Sequence, residues 1–144
     1  MHSEVAAVAE GQGKRALDLA HTRNLNGFRQ SNALYRDLQD EGLIRYIGIA
    51  RSGSQSFATI EQLIRDGLVD FIQVNYSLAE PQAAERLLPL AADEGVGVCI
   101  NRPFINGRYF GVVSDNQLPE WAAEFDCESW AQFCLLYTSP SPRD

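Results

Sequence analysis

Three stretches of this chain follow one pattern: an acidic residue, a glycine, an apolar run and a polar end. They are Glu41 to Ala50 (EGLIRYIGIA), Asp66 to Asn75 (DGLVDFIQVN) and Glu94 to Arg102 (EGVGVCINR). Their glycines, Gly42, Gly67 and Gly95, lie 25 and 28 residues apart, about the length of one βα unit. Each glycine follows a helical pattern and precedes a run suited to a buried strand. That alternation predicts parallel strands covered by helices.

In chain order, residues 4–10 are expected to form a short helix and Ala16 to Thr22 a strand. Asn24 to Gln30 is polar and reads as loop. Ser31 is placed as N-cap of a helix bearing Leu34 and Leu38, with Gly42 just past its end. Strands follow at Ile44–Ala50, Val69–Tyr76 and Val96–Ile100. The second helix is capped by Ser54 or Ser56 and carries Phe57, Ile60, Leu63 and Ile64. The third follows Pro81 with Ala84, Leu87, Leu88 and Ala91 inward, and Pro89 is expected to kink or divide it. Phe104 to Gln117 reads as a long loop. Pro119 starts a short helix with Trp121 and Phe125, and Asp126 caps another with Trp130 and Phe133. Residues 1–133 are therefore taken as one domain. Residues 134–144, CLLYTSPSPRD, are taken as a disordered, non-native tail, because Ser-Pro-Ser-Pro cannot continue a helix.

Composition narrows the partners. A net charge of −7 gives no basic footprint for nucleic acid. No apolar run reaches membrane-spanning length, and the first fifteen residues lack the apolar core of a signal peptide, so a cytoplasmic protein without a membrane partner is expected. Cys99, Cys127 and Cys134 have no metal-binding spacing, and Cys99 is expected to be a buried, reduced thiol.

In a parallel α/β barrel or sheet, chemistry gathers at the carboxyl ends of the strands. Those ends offer His21, Arg23 and Asn24; then Arg51 and Ser52; then Gln73, Asn75 and Tyr76; then Asn101 and Arg102. Arg23, Arg51 and Arg102 together would favour a phosphate or carboxylate. Surface ion pairing for each arginine, and an amide or imidazole satisfied by backbone for Gln73 and His21, remain the alternatives.

LQDEGLIRYIGIA, VDFIQVNYSL, EGVGVCINRPF and LPEWAAEFDCESWAQF, at this spacing, resemble the central and later part of the aldo-keto reductases, over roughly residues 16–133. The resemblance implies an α/β fold, a partial (β/α)8 TIM barrel comprising about the fourth to seventh strands, with the Asn-Arg-Pro-Phe of a divergent branch. It also implies reduction of small carbonyl substrates with NADPH or NADH. By position, Gln73 matches the family's nicotinamide-contacting glutamine. Ala50 and Arg51 stand where the family uses a Ser-Asn pair, and Asn101, followed by Arg102, stands where a tyrosine stacks on the nicotinamide. The catalytic histidine's position falls on Arg23 in the ungapped register, which makes Arg23 the carbonyl-polarising cation unless a local shift brings His21 there. The family's tyrosine, lysine and aspartate lie on strands before these, so the chain by itself is expected to be inactive. Two rivals remain: a non-catalytic nucleotide- or protein-binding module on the same barrel, and another TIM-barrel isomerase or lyase acting on a phosphorylated substrate.

Overall fold

The computed structural model describes residues 17–22 and 25–138, with side chains from Gly27 onward. Four strands, β1 (Leu17–Thr22), β2 (Ile44–Arg51), β3 (Phe71–Asn75) and β4 (Gly97–Asn101), form one parallel sheet in chain order. Helices α1 (Leu25–Asp40), α2 (Phe57–Arg65) and α3 (Ala83–Asp93) connect them. This is the α/β architecture of a partial TIM barrel.

All three connecting helices stop in the same way. Gly42, Gly67 and Gly95 take φ of 71°, 64° and 68°, a conformation open to glycine at little cost. In each case the glycine N–H and the following N–H close back on the last turn. Gly42 donates to Gln39 and Leu43 to Leu38; Gly67 to Ile64 and Leu68 to Leu63; Gly95 to Ala92 and Val96 to Ala91. This is the Schellman closure, which satisfies carbonyls the helix end leaves unpaired.

The core lies between helices and sheet. Ile47, Ile49, Ile72 and Val74 meet Ile60, Leu63 and Ile64 of α2, Leu87 and Ala91 of α3, and Phe28 of α1, each at most 2% exposed. The opposite sheet face carries the row Gly48, Phe71, Gly97, paired in register across β2, β3 and β4. A methyl group on Gly48 would lie 2.5 Å from the Phe71 ring, and one on Gly97 would lie 3.4 Å from Phe71 Cβ. One large residue between two glycines is how a barrel interior fills a layer.

Several local expectations are corrected. The predicted loop at Asn24–Gln30 is helical from Leu25, and Ser31 is internal to α1. Phe28 drives this: it is 1% exposed and stacks on Tyr35, seven residues on, whereas Leu34 is 56% exposed. Ser56 sits at the N-cap of α2 without capping through its side chain, because its Oγ accepts from Arg51 Nε instead. Pro89 neither divides nor ends α3; it is exposed within an unbroken helix, and Ala83 rather than Ala84 is buried. The loop after Pro103 contains a further helix, α4 (Arg108–Val113). The 3-10 turn Glu120–Phe125 ends at Asp126, which therefore caps no helix. Helix α5 (Trp130–Thr138) is instead begun by Ser129, whose Oγ accepts the Gln132 N–H while Gln132 Oε1 accepts from Glu128 N–H. That is a capping-box exchange. Because α5 continues to Thr138 with Cys134 1% exposed, residues 134–138 are helical rather than a disordered tail. Cys99 is a free thiol but half-buried, since β4 is an edge strand. The helix expected over residues 4–10, Arg23 and residues 139–144 lie outside the described residues. No helix among those described is long and apolar enough to cross a membrane.

Candidate functional site

The pleat sorts the strand-end residues by face. Ala50, Gln73 and Cys99 share one register row, two positions beyond Phe71, and Asn75 and Asn101 share the next row on that face. His21 pairs with Gly48, so it occupies the Phe71 row. Arg51 pairs with Val74, which is fully buried among the helices, so Arg51 belongs to the opposite face from Gln73. Its Nε donates to Ser56 Oγ at 3.2 Å and ties the end of β2 to the start of α2. The expected arginine cluster is therefore not assembled among the described residues: Arg51 is turned away, and Arg23 lies outside them.

What the carboxyl ends do assemble is a cleft of about 280 Å³ bordered by Ser52, Gly53, Ser54 and Gln55 on one side and Asn75, Glu80 and Arg102 on the other. Gln73, Arg51 and Asn101 are not in its lining. Asn75 is 6% exposed. Its Nδ2 donates to Glu80 Oε2 at 3.0 Å, while its Oδ1 is buried with no hydrogen-bond partner among the described residues. An unpaired buried acceptor is costly, which makes this atom the least satisfied point of the sheet end.

Glu80 is brought there by a tight turn. Ser77 and Glu80 exchange backbone hydrogen bonds, and Ser77 Oγ also accepts the Glu80 N–H at 3.1 Å. On the other side, β4 runs into a segment in which Arg102, Ile105 and Asn106 all have φ between 51° and 56°. Three such residues within five are a concentration of backbone strain. Arg102 Nε donates to Asn106 Oδ1 at 3.2 Å, across that same turn.

The C-terminal elements reach this end of the sheet. Tyr137 of α5 stacks on Tyr76, which directly follows β3, at 5.2 Å between ring centres. Burial and a hydrogen bond with Tyr137 push the Tyr76 phenol up to about 12. Burial also raises Tyr109 and Cys134. Trp130 packs edge-on to Tyr109 and Phe133, and its indole N–H donates to the Asn116 carbonyl at 2.8 Å.

A larger depression, about 470 Å³, lies at the other end of the strands, bordered by Gln39, Tyr46, Asp70 and Gly95. Its polar groups are already engaged. Asp70 accepts from Ile47 N–H (2.8 Å), Gln39 (3.2 Å) and Arg36 (3.4 Å), and Gln39 also donates to the Arg45 carbonyl. This network fastens α1 to β2 and β3 and leaves little unsatisfied chemistry. The carboxyl end is the better candidate site. Among the described residues, no group of His, Cys, Asp and Glu could hold a metal.

A parallel sheet of βα units, with its polar ends gathered on one rim, now meets a family match: the model of the Aldo/keto reductase family covers residues 31–132. The chain belongs to the aldo/keto reductase family. It is also 28% identical over 125 residues to the NADH-specific methylglyoxal reductase of Escherichia coli (strain K12), covering 83% of this chain. This aldo/keto reductase chain spans 37% of the length of that curated relative. Sequence reasoning had located Gln73, Asn101 and Arg102 at the rim. It missed the Asn75–Glu80 pair, for which Glu80 immediately before Pro81 was the sole hint, and the Arg36–Gln39–Asp70 network, signalled by Asp70 inside an apolar run.

Proposed function

We propose that this chain forms part of the nicotinamide-facing wall of an oxidoreductase that reduces small carbonyl compounds. The supporting observation is the pair of amides on one face of β3. Gln73 is half-buried there, and Asn75, one step further, holds a buried acceptor without a partner. A nicotinamide carboxamide offers both a donor and an acceptor, so two adjacent side-chain amides fit it chemically. When bound, the reduced dinucleotide supplies the hydride for the carbonyl carbon.

The chain's own residues bind and orient. Gln73 fixes the carboxamide, which sets which ring face meets the substrate. Asn101 takes the place of a stacking aromatic and contributes hydrogen bonding rather than a π face. Arg102, in the strained turn beside the cleft, brings positive charge to the dinucleotide's phosphates. Arg51 acts indirectly, by holding the Ser52–Ser56 segment through Ser56. Arg23 is assigned the carbonyl-polarising role, with His21 as the alternative, on the resemblance. Turnover is proposed for a protein carrying these strands together with the family's tyrosine and lysine. The 144-residue chain by itself is proposed to bind cofactor without turnover.

The test is tryptophan-fluorescence titration of the chain with NADH and, separately, NADPH. Saturable quenching is expected, weakened about tenfold in Gln73→Leu, equivalent to about 1.4 kcal/mol. A well-folded chain with no saturable response to either dinucleotide would refute the proposal. The orientation of Arg51 toward Ser56, where the family grips the carboxamide, favours one second reading, a nucleotide-binding module without catalysis. Binding of NADH by a protein carrying all eight strands, with no oxidation of it by methylglyoxal or other aldehydes, would select that reading.

A further inference from the structure

Both outer strands of the sheet offer an unpaired side, and the stagger between them is specific. The row through His21, Gly48, Phe71 and Gly97 crosses all four strands. β1 enters the sheet at Leu17 and β2 at Ile44, each four residues before that row, whereas β3 and β4 begin on it. From first strand to last, the sheet has therefore climbed four residues. A closed eight-stranded (β/α)8 barrel needs a total stagger of eight. Four strands that climb four residues are half of that closure in strand number and in shear alike.

We propose that the open edges are a docking surface for a second copy of this chain, and that two copies close a symmetric eight-stranded barrel. A two-fold axis along the barrel keeps all strands parallel and joins β4 of each copy to β1 of its partner. The four-residue climb sets the pairing as Gly97 opposite Leu17 of the second copy and Asn101 opposite His21. An even offset preserves the pleat, so inner-face positions stay inside. The edge is ready to pair. Gly97 N–H donates to Asp70 and the Asn101 carbonyl accepts from Tyr76, both toward β3, so the N–H groups of Val98 and Ile100 point to the open side.

Burial agrees with a missing neighbour. Every residue of β4 is exposed or half-buried, Val98 at 38%, while β3 beside it is buried at four of five positions. On the inner face Tyr46 is 49% exposed, toward the space a second half would fill. Closure by an isologous pair also removes both open edges, which a linear stack of copies would not.

The test is sedimentation velocity of the 144-residue chain, combined with residue-level hydrogen exchange. A species of twice 16.0 kDa is expected, with slow exchange at Val98 and Ile100. Val98→Pro removes an outward donor without touching the β3 ladder, and it is expected to give monomer with unchanged helical circular dichroism. If that variant does not fold, exchange in the unaltered dimer still decides. A monomer overturns the proposal, as do a dimer whose Val98 and Ile100 amides exchange freely and open-ended assembly into larger species.

Discussion

Replacing Gly48 with alanine tests whether the inner face is packed as described. The added methyl would lie 2.5 Å from Phe71 Cζ and 2.6 Å from both Cε atoms, about 1 Å inside normal carbon–carbon contact. The ring cannot retreat freely. Phe71 is 6% exposed, and its Cβ already lies 3.4 Å from where a Gly97 methyl would be. Overpacking of this kind costs about 1–3 kcal/mol. The expected result in urea denaturation, followed by circular dichroism and tryptophan fluorescence, is a lower midpoint at unchanged slope. Phe71→Leu, which shortens the side chain where the clash occurs, is expected to cost about 1 kcal/mol by itself. The double variant should then be more stable than the sum of the two losses, with a coupling of about 1–2 kcal/mol. Strict additivity would show that the ring is not what alanine meets and would refute the layer of Phe71 between two glycines.

Two further outcomes follow from the polar groups. Asp70→Ala strands the Ile47 N–H and both side-chain donors, so a loss of about 1–3 kcal/mol is expected in the same denaturation assay. Asp70→Asn keeps one acceptor, and its loss should be smaller. The Tyr76 phenol, raised to about 12 by burial and Tyr137, favours the folded state while protonated. Its contribution is complete below about pH 10, the ordinary phenol value, and disappears as pH rises through about 12. Absorbance at 295 nm should show late-titrating tyrosine that Tyr76→Phe removes, and thermal stability should fall across that same interval.

The parts of this fold that could be read from the sequence are those with local causes. Gly42, Gly67 and Gly95 mark helix ends because a positive φ is a property of a few adjacent residues, and the apolar runs after them mark strands for the same reason. The beginning of α1 could not be read so. Leu25 to Gln30 is polar and contains Gly27, and its helical state depends on Phe28 finding a fully buried place against Tyr35 and the core. Tertiary packing overrides weak propensity there. Pro89 misled for a related reason: its cost is local, but the burial of Leu87, Leu90 and Ala91 around it outweighs that cost. At the site, position along a strand was legible and face was not. Arg51 and Gln73 both end strands, yet register places them on opposite sides of the sheet. The Asn75–Glu80 contact depends on a turn whose geometry no pattern announces.

The sheet's strand order is also its chain order, β1-β2-β3-β4. Each strand is added at a free margin, beside the one made just before it, and no existing pair has to separate to admit a later one. Each connecting helix is terminated by bonds confined to six residues, from Leu38 to Leu43, Leu63 to Leu68 and Ala91 to Val96. A chain emerging from its N-terminus can thus complete every unit with what has already been made, and each stage of growth is a smaller version of the final sheet.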